Sequence, residues 1–405
     1  MRRLSWIATS FLVCSLVTAC GGNGTTSSTG GNGEGASGGS TSTAGSGGGT
    51  ATGGTTASGG TSTGGTTASG GTSTGGTTTG TGGLGSNGAW CQPIPACDAE
   101  PPVVEKLPWK HDVLSPIIAS GTPGHRGRDL FVNPGDPQWI IGKFAYSTPP
   151  VELDKDLKDE QVDIYVQREC EGPWELLGSS FTTNDGDHAT VEGVDDSGGR
   201  VYFQIPPDEA LGLGRHRVHL VVRGDLTTAD MFIEVVPKGT PMFVSDVDGT
   251  LTTSENVEFV ALLTGTIPDA NTDSAKALGI LAKKGYHPFY LTARPEYLVS
   301  RTREFLGLHG FPPGVVHTTL TLTGATGASA ETYKTTELQA IAARGLSPSY
   351  GFGNTDSDAA TYNTLNIQPK QNRVFFQFDD PNGGRRIESY TELLAEFEAL
   401  PDLCQ

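Results

Sequence analysis

Apolar positions fall into distinct regimes along the 405 residues. After Arg2 and Arg3, residues 4–17 are predominantly apolar and end in the small-residue stretch VTAC at 17–20. A basic start, an apolar core too short to act as a stop-transfer helix, and small residues before a cysteine predict a signal peptide over 1–19. From 21 to 88 the chain is almost entirely Gly, Thr and Ser, with Glu34 its only charge, and the unit GGTTASGGTST at 53–63 recurs at 64–74. A stretch so poor in apolar side chains cannot offset the entropy of ordering, which predicts a disordered tether over 20–89. As a random coil its reach is on the order of 40–50 Å.

The pattern then becomes that of a folded protein. Short apolar runs at 139–146, 162–167, 174–181, 201–205, 216–222 and 231–236 are separated by turn clusters such as NPGDP (133–137), TNDGD (183–187) and VDDSGG (194–199). Short strands at this spacing predict an all-β sandwich, immunoglobulin-like, over 90–237. Beyond PKGTP (237–241) the period changes. Buried strands are predicted at 241–245, 287–292, 315–318, 350–354 and 373–378, with helices at 275–284, 296–308 and 331–344. Asp273 is the expected N-cap of the first helix, and Gly285 its terminator. Strands alternating with helices predict a mostly parallel, doubly wound α/β domain over 238–405.

Chemistry concentrates at the ends of those strands. The strand at 241–245 delivers Asp246 and Asp248 in DVDGTLT to its C-terminal edge, where open α/β sheets place their ligands. Two carboxylates this close ionise together only with a cation between them; otherwise one holds a proton. Thr292 ends the second strand and offers a hydroxyl to a phosphoryl oxygen. Lys334 offers an ammonium to developing equatorial charge. GNTDSD at 353–358 supplies Asn354, Asp356 and Asp358 as oxygen donors for a hard cation. A capping Thr, a solvated Lys and an acidic first helical turn are the plain alternatives for each residue alone. The order, one group per strand end after DVDGT, favours the joint reading.

In wording and order these stretches resemble the haloacid-dehalogenase (HAD) phosphohydrolases. SDVDGTLT, LTAR (291–294) and GFGNTDSDAATY (351–362) are similar to the lipin-type phosphatidate phosphatase catalytic domain. LTARPEYLVSRTREFLGLHGFPPGVV (291–316) also resembles the related C-terminal domain of the Nir/RdgB phosphatidylinositol-transfer proteins. The resemblance implies a HAD-like, Rossmannoid fold and a Mg²⁺-dependent phosphomonoesterase acting on phosphatidate or a related lipid phosphate. Asp246 would be the nucleophile and Asp248 the general acid and base, while Thr292 and Lys334 would hold the phosphoryl group. Mg²⁺ would bind Asp246, the backbone carbonyl of Asp248, and Asn354 or Asp358. About forty residues separate the first two motifs, too few for a large cap, and an uncapped site suits a bulky or interfacial substrate. The Nir/RdgB likeness implies the alternative, a non-catalytic phosphatidate-binding module; a phosphatase for a soluble phosphate ester is the other. Lipins also carry an immunoglobulin-like domain against the catalytic one.

Charge and cysteines narrow the setting. Removing 1–19 takes away Arg2 and Arg3 and no acidic residue, leaving 25 basic against 45 acidic residues, a net charge of −20. That argues against nucleic acid as a partner and against electrostatic adhesion to anionic lipid. VTAC resembles the bacterial lipoprotein cleavage box, which implies lipidation of Cys20 and an exported, lipid-anchored protein at the cell envelope, at the outer membrane or on the periplasmic face. Ordinary secretory cleavage is the alternative. Cys91, Cys97, Cys170 and Cys404 then remain, an even number consistent with two disulfides in three possible pairings. Proximity favours Cys91–Cys97 with Cys170–Cys404; unpaired thiols are the alternative. GHRGRD (124–129) places Arg126 and Arg128 in a Gly-rich loop, either as solvated cations or as a basic contact for phosphate or anionic lipid.

Overall fold

The computed structural model describes residues 94–148, 151–253 and 266–403. The expected signal, Cys20, the tether, Cys91 and Cys404 lie outside the described residues. The sandwich and the α/β half both fall within one compact unit, Thr77–Gln405.

The first half begins with a short helix, α1 (Leu114–Ile118), followed by β1 (Thr122–Pro123), β2 (Arg126–Gly127), β3 (Leu130–Val132), β4 (Trp139–Lys143), β5 (Ala145–Thr148) and β6 (Val151–Asp156). It continues with β7 (Gln161–Gln167), β8 (Glu175–Phe181), β9 (Arg200–Gln204), β10 (Gly214–Val222) and β11 (Thr228–Val235). A five-stranded sheet, β3-β11-β10-β7-β8, faces the smaller sheets β2-β4-β9 and β1-β5-β6. Alternate residues of the long strands meet in the core: Val162, Ile164 and Val166 from β7 pack with Val218, Leu220 and Val222 from β10 and with Phe144 and Tyr146. The opposite face of β10 is covered as well. Arg217 there donates to the carbonyls of Cys97 and Ala99, and Arg223 just beyond the strand donates to that of Glu105. A Cys97–Cys170 disulfide ties this N-terminal segment down. That bond excludes both Cys91–Cys97 and Cys170–Cys404; the segment 97–105 runs across the sheet, a contact that sequence proximity cannot reveal.

The second half is a six-stranded, all-parallel sheet in the order β14-β13-β12-β15-β16-β17. Its strands are β12 (Met242–Ser245), β13 (His287–Leu291), β14 (Val315–His317), β15 (Pro348–Gly353), β16 (Arg373–Phe376) and β17 (Arg385–Ile387). Its helices are α2 (Ser274–Lys283), α3 (Val299–Leu308), α4 (Gly327–Ala343), α5 (Asp356–Thr364) and α6 (Thr391–Glu398). Phe243 points to one side, among Leu278, Leu281, Phe305 and Phe397 of α2, α3 and α6. Met242 and Val244 point to the other, among Leu338, Ile341 and Tyr362 of α4 and α5. Helices therefore cover both faces. Strand order reverses between β12 and β15, and the crevice outside a reversal is where such sheets bind ligands.

Three local expectations change. Helix α4 begins at Gly327, a turn before 331, because GASA (327–330) carries no periodic apolar signal. Asp273 does precede α2, but it is left-handed at φ 63° and makes no side-chain cap bond; its carboxylate accepts from Thr391 Oγ1 at 2.6 Å. Arg126 and Arg128 are neither solvated nor turned to a ligand. Arg126 is buried against Asp154 (2.8 Å) and Glu296 (3.0 Å), and Arg128 Nη2 is forked onto Glu337 at 2.7 and 2.8 Å. With Arg303–Asp129 (2.7 Å) and Arg200–Glu296 (2.9 Å) they form a buried, charged seam joining the sandwich to the α/β half.

Candidate functional site

The sequence-predicted residues converge at the strand-order reversal. Asp246 follows β12, and its backbone N–H donates to Phe352 O of β15 at 2.9 Å, so the ends of the two strands are locked side by side. Gly249, at φ 69°, lets the chain turn sharply away. Thr250 is fully buried and donates to Asn354 Oδ1 at 2.8 Å, with Asp246 Oδ2 at 3.4 Å. Lys334, from the middle of α4, places its Nζ 2.7 Å from Asp246 Oδ1 and 2.6 Å from Asp358 Oδ1.

Two buried carboxylates thus share one ammonium. Burial drives the Asp246 carboxyl upward, the Lys334 charge draws it back, and Asp358 and Asp248 raise it again, leaving it pushed up to about 7. Burial alone would lower Lys334, but the carboxylates of Asp246 and Asp358 outweigh it and hold the ammonium well above its usual range.

Asp248 stands on the open side of the cleft, engaged by a residue the sequence reading left without a role. Arg294 Nε lies 2.9 Å from both carboxylate oxygens, and its Nη2 lies 2.5 Å from Oδ1. Thr292 Oγ1 donates to Oδ2 at 3.1 Å. Arg294 is itself braced by Thr302 of α3 at 3.0 Å. Acting as a general acid would first require Asp248 to be released from Arg294. The signal was present in LTAR, a cation two residues past a strand-end hydroxyl.

Asp358 lies one layer behind the cleft. It is fully buried, with Oδ1 on Lys334 and Oδ2 accepting from Thr355 Oγ1 (2.8 Å) and from the N–H groups of Asn354 and Thr355 (3.2 Å each). As the third residue of α5 it folds back onto its own cap. Asp246 lines the cleft, while Asn354, whose Oδ1 accepts from Thr250, and the backbone carbonyl of Asp248 are the other oxygen donors that the resemblance implies for a metal. Among the described residues there is no group of three or more His, Cys, Asp or Glu side chains arranged to hold a metal. The donor chemistry suits Mg²⁺, which takes one or two carboxylates and keeps several waters. Two buried carboxylates against one lysine leave an excess of negative charge for such a cation to balance.

The cleft itself holds about 470 Å³. Asp246, Asp248, Arg294 and Lys334 form its polar wall; Leu298 and Ala330 are among its apolar residues. The starts of α4 (Thr326, Gly327) and of α5 (Thr355, Asp356, Ser357) also line it, and helix N-termini favour anions. The sandwich supports one wall indirectly, because Arg126 and Arg200 grip Glu296, two residues beyond Arg294.

A β-sandwich followed by an α/β domain with a cleft at its strand-order reversal is the class of protein these observations define. A family model described as the PITM 1-3 β-sandwich domain matches residues 123–235, and one described as the PITM 1-3 LNS2 domain matches 243–376. Human membrane-associated phosphatidylinositol transfer protein 1 is 31% identical over 216 residues, 53% of this chain and 16% of its own length. Human membrane-associated phosphatidylinositol transfer protein 2 is 30% identical over 209 residues, 51% of this chain and 14% of its own. Protein retinal degeneration B of Drosophila melanogaster is 29% identical over 209 residues, 51% of this chain and 15% of its own. The chain therefore spans only 14–16% of the length of these relatives. An amylomaltase structure from Corynebacterium glutamicum covers 41% of this chain and 20% of its own at 15% identity, with a TM-score of 0.16, too low to bear on the fold. In both folded halves the chain is similar to the Nir/RdgB proteins.

Proposed function

We propose that the cleft binds the phosphate group of a phosphatidate-type lipid, as a recognition module rather than a hydrolase. The observation that carries this reading is the Arg294 grip on Asp248. It ties Asp248, the acid that hydrolysis would use, into a tight pair, and it holds a guanidinium in the cleft wall beside two helix N-termini, where an incoming phosphate would compete with Asp248 for it. Similarity to phosphatidylinositol transfer proteins through both halves supports a lipid ligand. We propose further that Cys20 bears the lipid anchor and holds the exported chain at a bacterial envelope membrane.

A second reading keeps the HAD-type phosphatase. Asp246 is favoured for it by burial at a strand end beside Lys334, Thr250 and Asn354, the arrangement an aspartyl nucleophile requires. Here Mg²⁺ on Asp246 and Asn354 would supply charge neutralisation for the phosphoryl group.

One experiment separates the two. The Cys20→Ser full chain is sedimented with phosphatidylcholine vesicles, with and without phosphatidate, and phosphate release is followed in parallel in Mg²⁺ and in EDTA. Binding predicts phosphatidate-dependent sedimentation that persists in EDTA, with release no greater than from Asp246→Asn. Mg²⁺-dependent release that Asp246→Asn abolishes would replace the first reading with the second. Equal sedimentation with and without phosphatidate, and no release, would remove both.

A further inference from the structure

One edge of the Asp246 cleft carries no charge. No Asp, Glu, Lys or Arg occurs between Glu304 and Glu331. Over 305–317 this is ordinary, because much of that stretch is core: Phe305, Val315 and Val316 are buried. Over 321–329 it is not, since every residue there is exposed or half-buried, in a chain with 45 acidic and 27 basic residues. Thr323, Ala325, Thr326 and Gly327 of this stretch line the cleft. The start of α5, which also lines it, exposes Asp356. The two edges therefore differ in charge.

Leu322 stands out of the neutral edge, 50% exposed. A single exposed leucine needs no explanation by itself. This one is presented by a firmly braced loop. Before it, Thr319 donates to Arg294 O from its N–H (3.0 Å) and its Oγ1 (2.9 Å), and Leu320 packs against Ile141 and Tyr202 of the sandwich. Glu296 N–H donates to Thr321 O at 3.1 Å. After it, Ala325 N–H donates to Ala293 O at 2.9 Å. Gly324, at φ 72°, passes so close that a Cβ there would lie 2.7 Å from that same carbonyl. Thr321 Oγ1 closes the turn around Leu322 by donating to Gly324 O at 3.1 Å. Thr319 and Thr321 thus bond inward, and the leucine between Thr321 and the cleft-lining Thr323 is left facing out.

We propose that this rim is the face the molecule sets against a phosphatidate-bearing bilayer, with Leu322 entering the boundary between headgroups and acyl chains while the phosphate occupies the cleft. The proposal rests on the reading of the cleft as a lipid-phosphate site, and holds whether that lipid is bound or hydrolysed. An anionic surface repels acidic side chains, so the uncharged edge is the one that meets the least repulsion. Apolar side chains at a bilayer interface bind through the area they bury. A phosphate pocket with an apolar rim matches a ligand whose phosphate and chains are joined by a few bonds, and Leu298, Ala325 and Ala330 extend apolar surface into the cleft wall. The brace between the rim and 293–296 also places Leu322 on the same rigid wall as Arg294, the expected phosphate contact.

The test compares the Cys20→Ser chain with the same chain carrying Leu322→Glu, Leu322→Ser or Leu322→Trp. Each is sedimented with phosphatidylcholine vesicles containing phosphatidate, and titrated separately with a short-chain phosphatidate below its micellar concentration. Vesicle affinity should fall by about tenfold in Leu322→Glu, the order expected for a half-exposed leucine that loses its burial. It should fall less in Leu322→Ser and be kept or raised in Leu322→Trp, since tryptophan favours the interface. The soluble ligand should bind all four alike. Vesicle affinity unchanged in Leu322→Glu would overturn the rim and leave the cleft reading standing. Equal losses on vesicles and on the soluble ligand would overturn it too, by making Leu322 part of the cleft. Should Leu322→Glu fold poorly, as its urea midpoint would show, Leu322→Trp binding vesicles less well than Leu322→Ser is the overturning result. A Cys20→Ser chain that binds neither ligand would remove the lipid-phosphate reading, and the rim with it.

Discussion

Lys334 carries the heaviest electrostatic duty of any side chain at the cleft, because one ammonium serves both Asp246 and Asp358. Lys334→Met leaves two buried carboxylates without a cation, and breaking a buried pair costs about 3–5 kcal/mol. Urea unfolding should show a large fall in midpoint for that variant and a partial recovery when Asp246→Asn is added; a wild-type midpoint would refute the shared charge. Arg294 and Asp248 distinguish function at the same scale. If the cleft binds phosphate, Asp248→Asn frees the guanidinium and should preserve or tighten phosphatidate sedimentation. Arg294→Met should weaken it by about tenfold to a hundredfold, the worth of a charged hydrogen bond. Loss of binding in both variants would count against Arg294 as the phosphate contact. The cluster was largely legible in the sequence, since Asp246, Thr292 and Asn354 each follow a recognisable strand. The Arg294 grip was not, because it depends on how the ends of β12 and β13 are juxtaposed. Nor was the inward turn of Asp358, which is set by the reciprocal cap of α5.

Between elements, the seam of buried charges decides how the sandwich meets the sheet. Its partners lie far apart in the chain, Arg128 against Glu337 and Arg126 against Glu296, so no local pattern announces them. The same distance explains why Arg126 and Arg128 looked like loop cations in the sequence. The longer strands and three of the helices were readable from period alone; α1, β1 to β3, β6, α5, β17 and α6, most of them short, were not. Glu337 gives the seam a pH signature. Burial raises its carboxyl, but Arg128 and His317 outweigh that and hold it down at about 2. A depressed carboxylate contributes stability above its unfolded value near 4.5 and loses it as pH falls toward 2. Glu337→Gln should therefore be less stable than wild type at pH 7, by about 3–5 kcal/mol if the buried Arg128 is left unpaired. The two proteins should converge between about pH 4.5 and 2. Denaturant midpoints across that range check it, and a constant gap would mean that Glu337 does not titrate there.

For the whole molecule, charge and the proposed anchorage pull in opposite directions. With the expected signal removed the net charge is −20, counting 25 basic and 45 acidic residues. The two arginines that seemed available to meet an anionic surface are buried in the seam. A bilayer rich in phosphatidate should then repel the folded part at long range and attract it only through the cleft, at contact. Salt acts mainly on the first of these, since the Debye length falls from about 10 Å at 0.1 M to about 3 Å at 1 M. The contact between Arg294 and a phosphate group is short and partly desolvated, so it is screened less. Sedimentation of the Cys20→Ser chain with phosphatidate vesicles should accordingly strengthen between low and moderate NaCl, opposite to the behaviour of a basic peripheral protein. If Cys20 bears the proposed anchor, the unaltered chain should show little salt dependence, because the anchor would keep the cleft near the surface at high effective concentration. The comparison needs vesicles of fixed phosphatidate content and NaCl from about 50 to 500 mM, a range over which the screening length shrinks roughly threefold. Binding that weakens steadily with salt in the Cys20→Ser chain would mean that a basic surface, rather than the cleft, makes the first contact.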